Sequence, residues 1–236
     1  MKSLTVLLVF ILNLAITNGQ IEDESDSNKA ALGVPYAVGN PITVSNVCSF
    51  PENWHRIAGF RALTARLGIA IQSDSYKELL NYPGTFQLTT QQSSTTKPNF
   101  QISGLVGTLY GLTIIPSYLL IELTGYFVPP TSGEYTFSLE GSDDAAIIFI
   151  ANPSTFKCGH VDDWPTAYDN DVTVTDSIHT TRTIYMIEGV AYPIRIAYYN
   201  GLSLGKLQAS FTDPEGVKRV DWNGYIWRYD ACDTCS

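Results

Sequence analysis

Positive charge is scarce in this chain. Fourteen Lys and Arg stand against 23 Asp and Glu, a formal net charge of −9 with histidine neutral. A phosphate-binding surface needs a basic stripe, and none is visible, which argues against nucleic acid as a partner. The same balance suits a neutral ligand, a cation, or plain solubility. Long apolar runs are missing beyond residue 16, so no later stretch can cross a bilayer as a helix. An open N-glycosylation acceptor is missing too, because Pro153 blocks the one between Asn152 and Ser154. Cysteine is confined to four positions, none of them between 48 and 158. No internal repeat, low-complexity tract or convincing long helical period appears.

What is present begins with an address. Lys2 precedes an apolar run over 4–16 broken only by Thr5 and Asn13, and Thr17 and Gly19 supply small residues before Gln20. Residues 1–19 are therefore expected to be a signal peptide, too short and wrongly flanked for a spanning helix. Residues 20–33 are acidic and polar, a disordered lead-in. The rest, 34–236, is the length of one β domain. In a secreted chain, Cys48, Cys158, Cys232 and Cys235 read as two disulfides with three possible pairings. Two rivals are weaker. Cys232 and Cys235 lack a following helix to lower a thiolate pKa for redox work. Zinc would need Cys158 and His160 to meet that pair.

The densest structural signal lies in 119–158. Leu119, Ile121 and Leu123 alternate with Leu120, Glu122 and Thr124, and Tyr135, Phe137 and Leu139 alternate with Thr136, Ser138 and Glu140. Period two with aromatic and β-branched residues predicts strands. Pro129, Pro130 and Gly133 make the turn between them. Residues 145–150 are apolar enough for burial on both faces. Further on, Ile194, Ile196 and Tyr198 share one face, Leu207, Ala209 and Phe211 another, and Tyr225, Trp227 and Tyr229 alternate at the end. The stretch 58–72 is read as strand, 73–82 as a short helix or loop, 89–99 as a polar surface loop, and 158–171 as a loop. Together these predict an all-β fold, an antiparallel β-sandwich with long apical loops.

Asp143 and Asp144 stand together where one strand ends and the apolar run 145–150 begins. Side by side, two carboxylates repel unless a cation sits with them. A glycosidase pair is disfavoured, since such carboxyls lie roughly 5–10 Å apart across the sugar. Successive strand residues also point to opposite faces. The bland alternative is a solvated acidic turn. Asn200, at the end of a strong strand in an Asn-Gly turn, is on its own merely a good turn residue.

A set of ordered words carries a family resemblance: TGYFVPP (124–130), GEYTF (133–137), DDAAI (143–147), FKC (156–158), YMIEGVAYPIRIAYYN (185–200), FTDPEG (211–216) and GYIWRYD (224–230). Over about residues 48–235 the chain resembles the lectin domain of fungal flocculins and epithelial adhesins, a relative of the protective-antigen sugar-binding insert. GVAYP at 189–193 sits where the GLEYA subgroup carries its name-giving motif. The resemblance implies a sugar-binding adhesin without enzymatic activity, in which a cis Asp143–Asp144 pair and Asn200 hold Ca²⁺ with the backbone carbonyls of Leu202 and Leu204. Sugar hydroxyls then complete the metal shell.

The resemblance also places Gly201, Ser203 and the neighbouring leucines in the specificity loop, with Ser203 bonding a sugar hydroxyl. Trp164, flanked by Asp162 and Asp163, offers a stacking face. It implies terminal galactose, mannose or N-acetylglucosamine as ligand. The setting would be a host-cell or fungal cell-wall surface, secreted or displayed from a longer anchored protein. It further implies that Cys158 ties to one terminal segment near the binding end, the other two cysteines pairing together. The alternatives are an accessory module of a glycoside hydrolase and a structural wall protein.

Overall fold

The computed structural model describes residues 47–50, 54–66, 91–151, 155–156, 158, 173–175, 180–202 and 204–231. The expected signal peptide and lead-in, the 73–82 segment, Asp162, Trp164, Ser203, Cys232 and Cys235 lie outside them.

Every regular element among the described residues is a strand. In chain order they are β1 (Trp54–Ala58), β2 (Phe60–Arg66), β3 (Gln91–Thr95), β4 (Phe100–Ile102), β5 (Gly107–Leu109), β6 (Leu112–Ile114), β7 (Leu119–Phe127), β8 (Gly133–Ser142), β9 (Ala145–Ile150), β10 (Thr173–Thr175), β11 (Thr181–Met186), β12 (Tyr192–Asn200), β13 (Gly205–Thr212), β14 (Lys218–Arg219) and β15 (Ile226–Ala231). An eight-stranded sheet runs β1-β15-β7-β12-β9-β10, with β2 on β7 and β3 on β2. A five-stranded sheet runs β11-β8-β13-β14, with β4 on β13, and β5-β6 is a separate hairpin. All described pairings are antiparallel, as the period-two pattern predicts.

The two sheets bury their facing residues against each other. Ile121, Leu123 and Phe127, with Ile194, Ile196 and Tyr198, meet Tyr135, Phe137, Leu139, Leu207, Ala209 and Phe211 in one cluster. Phe127 lies at its centre, edge-on to Tyr135, Phe137 and Phe211 at centroid distances of 5.3, 5.1 and 5.0 Å. Trp222 is fully buried beside them. Large rings in edge-to-face contact add to the area they bury. Tyr225 joins this cluster from just before β15, whereas Trp227 and Tyr229 pack on the Tyr126 cluster behind the sheet. The alternation predicted for these three aromatics therefore holds only for the last two.

The eight-stranded sheet is buried on its other face as well. Leu120, Ala145, Ile147, Phe149, Ala197 and Tyr199 form a second cluster there, so β7, β9 and β12 are buried at every residue. Among these apolar side chains lies an ion pair, Arg195 Nε to Glu122 Oε1 at 3.2 Å, with side chains 1% and 6% exposed. Gly59 lets the chain reverse from β1 to β2. It adopts φ +97°, and a Cβ there would come within 2.9 Å of the Thr95 carbonyl.

The stretch 91–95, expected as loop, is instead the strand β3, laid along β2 from Phe60↔Thr95 to Thr64↔Gln91. Its polarity reports an exposed sheet edge, not absence of structure.

One disulfide joins Cys48 and Cys158 across 110 residues. It sits where Cys48 bridges Ala191, next to the Tyr192 end of β12. The resemblance led us to expect this clamp at the binding end. The register puts it at the opposite end of the sheet from Asn200.

Arg195→Met takes the cation from a buried carboxylate and is expected to cost roughly 3–5 kcal/mol, whereas Glu122→Leu combined with Arg195→Met recovers most of that loss. Urea unfolding of the three variants measures it. A double variant as unstable as the single one would show that packing, not charge, is lost.

Candidate functional site

Register gathers four loops at one end of the sandwich. Leu119 opens β7 opposite Asn200, which ends β12, and Tyr199 faces Ala145, which opens β9. In the second sheet, Leu207 faces Ser142 and Gly205 faces Ile102. The 115–118 turn, the Asp143-Asp144 turn, the 201–204 loop and the 103–106 loop therefore all leave from this apex.

Asp143 is half-buried and Asp144 exposed. The peptide between them is trans, which corrects the expected cis bond. The chain turns instead through a left-handed Asp144, φ +63°, a conformation that Asp tolerates better than most residues. Asp143 N–H donates to the Lys206 carbonyl at 2.8 Å, and Gly201 N–H donates to Asp144 Oδ2. A Cβ on Gly201 would lie 3.2 Å from that oxygen, so only glycine allows this approach without crowding. Burial, and then the neighbouring charge of Asp144, raise the Asp143 carboxyl above the usual carboxylate range, while Lys206 draws it back. The pair thus carries a like-charge repulsion that a cation would relieve.

Asn200 is fully buried beneath this turn. Its Nδ2 donates to the Pro116 carbonyl at 2.7 Å, and its Oδ1 accepts the Tyr198 hydroxyl at 3.3 Å. Tyr198 Oη in turn accepts the Lys206 N–H at 3.1 Å. Burial, and then the charges of Asp143 and Asp144, push this hydroxyl above the ordinary tyrosine range, so it remains a protonated donor near the acidic pair. Tyr118 adopts φ +57° and donates its N–H to the Gly201 carbonyl at 2.8 Å, fastening the 115–118 turn to the 201–204 loop.

The structure therefore brings Asp143, Asp144, Asn200 and Gly201 together. Leu202 and Leu204 stand beside them with side chains 67% and 51% exposed. From the 103–106 loop that follows β4, Leu105 and Val106 are also exposed at this apex. Asp162, Trp164 and Ser203 lie outside the described residues. The oxygen donors present fit a hard cation such as Ca²⁺, which takes carboxylate, amide and carbonyl oxygens. Pro116, Tyr118 and Tyr198 were missed in the sequence. Tyr198 reads there only as a core face. Pro116 lies 84 residues from the amide it caps, a separation that no local pattern records.

Against known proteins, the GLEYA domain pattern matches residues 119–213. The chain is also 30% identical over 119 residues to topoisomerase I damage affected protein 8 of Saccharomyces cerevisiae, covering 92% of that protein and 46% of this one. The chain belongs to the GLEYA family. This GLEYA chain is 33% identical over 132 residues to the flocculation protein FLO9 of the same yeast, over 52% of its own length and 10% of FLO9. It thus spans about a tenth of that much longer relative. The A domain of epithelial adhesin 9 from Candida glabrata, solved with Galβ1-3GlcNAc, superposes with a TM-score of 0.65 at 19% identity. The match covers 80% of this chain and 97% of that one. The epithelial adhesin 6 A domain gives 0.62 at 21% identity, covering 81% and 96%. These likenesses establish the adhesin-type β-sandwich fold.

The raised Asp143 carboxyl has a pH consequence. A raised folded-state pKa favours the fold below the ordinary carboxylate range, and that contribution is lost as pH rises through the raised value. In chelator, Asp143→Asn is therefore expected to raise the melting temperature at neutral pH, with the gain shrinking as pH falls through the carboxylate range. Scanning calorimetry across pH checks it. A gain independent of pH would rule out relieved charge repulsion as the cause.

Proposed function

We propose that this GLEYA chain is the sugar-binding domain of an adhesin, dependent on Ca²⁺ and devoid of catalysis. Its ligand is the terminal hexose of a glycan, galactose, mannose or N-acetylglucosamine. Its setting is extracellular, secreted or displayed on a cell wall, facing a host-cell or fungal surface. The observation that carries this reading is the Asp143-Asp144 turn, fastened through Asp144 to the N–H of Gly201, the residue after the buried Asn200, at the mouth of the 201–204 loop. Support comes also from the flocculation proteins among its relatives, and from the Galβ1-3GlcNAc held by the epithelial adhesin domain that shares its fold.

Asp143, Asp144 and the Asn200 side chain would hold the cation, with backbone carbonyls of Leu202 and Leu204 beside them. When bound, calcium offers its remaining positions to neighbouring sugar hydroxyls and neutralises the acidic pair. The protein's own part is to orient and to select. Gly201 admits Asp144 to the loop backbone. Exposed Leu202 and Leu204 present apolar surface to the C–H face of a sugar or to an acetamido methyl. Ser203 would bond sugar hydroxyls. Catalysis is disfavoured because the two acids are adjacent in sequence on one turn rather than facing each other across a sugar.

Two substitutions separate cation from sugar. Asn200→Ala is expected to abolish glycan binding and weaken calcium binding together. Ser203→Ala should alter the ranking of sugars, because a lost hydrogen bond to a hydroxyl acts on specificity, with calcium binding intact. A glycan array with and without calcium, followed by calorimetry, reads both effects. Equal glycan binding by Asn200→Ala and the parent would sink the calcium-bridged mechanism.

A further inference from the structure

We infer that Tyr198 is a positioning residue for the cation site, its hydroxyl holding the oxygen of the Asn200 amide, rather than its nitrogen, toward the acidic pair. This rests on the calcium reading above and goes beyond it, because Tyr198 is not itself a ligand.

An asparagine amide has two ends of similar shape and opposite hydrogen-bonding character. Which end faces a cation decides between a ligand and a repelling N–H. Two groups fix the choice here. Nδ2 is committed to the Pro116 carbonyl at 2.7 Å. Oδ1 receives the Tyr198 hydroxyl at 3.3 Å. That hydroxyl cannot swing to another role easily, because it also accepts the Lys206 N–H at 3.1 Å. Flipping the amide would set Oδ1 against the Pro116 carbonyl oxygen and Nδ2 in place of an acceptor for the hydroxyl proton.

The ring that carries this hydroxyl is itself locked. Tyr198 is fully buried in the core and lies edge-on to Phe100 at 5.1 Å. Gly205 closes on it from the start of β13, where a Cβ would stand 3.4 Å from Oη and 3.8 Å from Asn200 Cγ. Tyr198 and Lys206 also bracket the 201–204 loop, so one hydroxyl ties its two feet together. An amide oxygen has two acceptor sites. With one taken by Tyr198, the other is left for the cation, and the ligand is oriented before the cation arrives.

Calcium alone is the probe, titrated calorimetrically into the parent, Tyr198→Phe and Tyr135→Phe. Tyr135 is a control at the far end of β8, a buried tyrosine whose hydroxyl donates to the Thr131 carbonyl at 2.9 Å. Tyr198→Phe is expected to bind calcium about tenfold more weakly, the usual scale for losing a group that orients a ligand, while Tyr135→Phe binds it like the parent. Unchanged affinity in Tyr198→Phe, or an equal loss in Tyr135→Phe, overturns the inference and leaves the calcium reading standing. A parent that takes up no calcium overturns both. Should Tyr198→Phe not fold, the parent still decides. The buried Tyr198 hydroxyl proton, followed by NMR, is expected to shift when calcium is added, and a resonance that does not respond overturns the assignment.

Discussion

The antiparallel ladder between β7 and β12 sets the position of everything else. Its nine residue pairs run from Tyr192↔Phe127 to Asn200↔Leu119. Because side chains alternate, a slip of one residue would turn Ile194, Ile196 and Tyr198 out of the inter-sheet core and drive Arg195 into it. Both faces of these strands are buried, so neither face could absorb the error. The same register puts the Asn200 amide under the Asp143-Asp144 turn. A local ladder thereby fixes a site whose members are spread over more than eighty residues of sequence.

Polarity is placed as strictly as apolarity. Inside the sheet, Glu122 and Arg195 form an ion pair out of reach of solvent. At the apex, burial and then the charge of Asp144 raise the Asp143 carboxyl, with Lys206 drawing it back. One pair of charges is neutralised by the fold. The other is left at the surface, where the charge of Asp144 helps to raise the Asp143 carboxyl. Asn200 belongs to the first kind by its burial and to the second by its position.

The sheet pattern was legible because burial follows the alternation in β8 and the first half of β13, while β7 and β12, buried throughout, are rich in aromatic and β-branched residues. The GLEYA match begins at Leu119, the first residue of β7, and ends at Asp213, just past β13. Outside that span the signals thinned. β3 was hidden because Gln91–Thr95 is an edge strand whose polar side chains face water. The acidic pair was legible as a turn at the head of β9, but the mechanics of that turn were not. A left-handed φ at Asp144, where a cis peptide was expected, leaves no mark in the letters DD. Tyr198 was hidden for a different reason. Its ring belongs to the core pattern and its hydroxyl to the apex, and periodicity records only the ring. The disulfide partner of Cys158 was left open by spacing, and it took the register at Ala191 to show which end of the sheet the bond clamps.

The flanking of β12 has a mechanical side. Along its length the strand is hydrogen-bonded to β7 on one edge, and to β9 on the other from Ile194 to Tyr199. A pull applied at Asn200 along the strand axis would act on both ladders in shear, so that many backbone bonds resist at once instead of opening one after another. Cys48 and Cys158 close the chain at the other end of the same sheet. Tension entering at the apex would therefore travel the full length of the most deeply buried strands before it reached the covalent clamp.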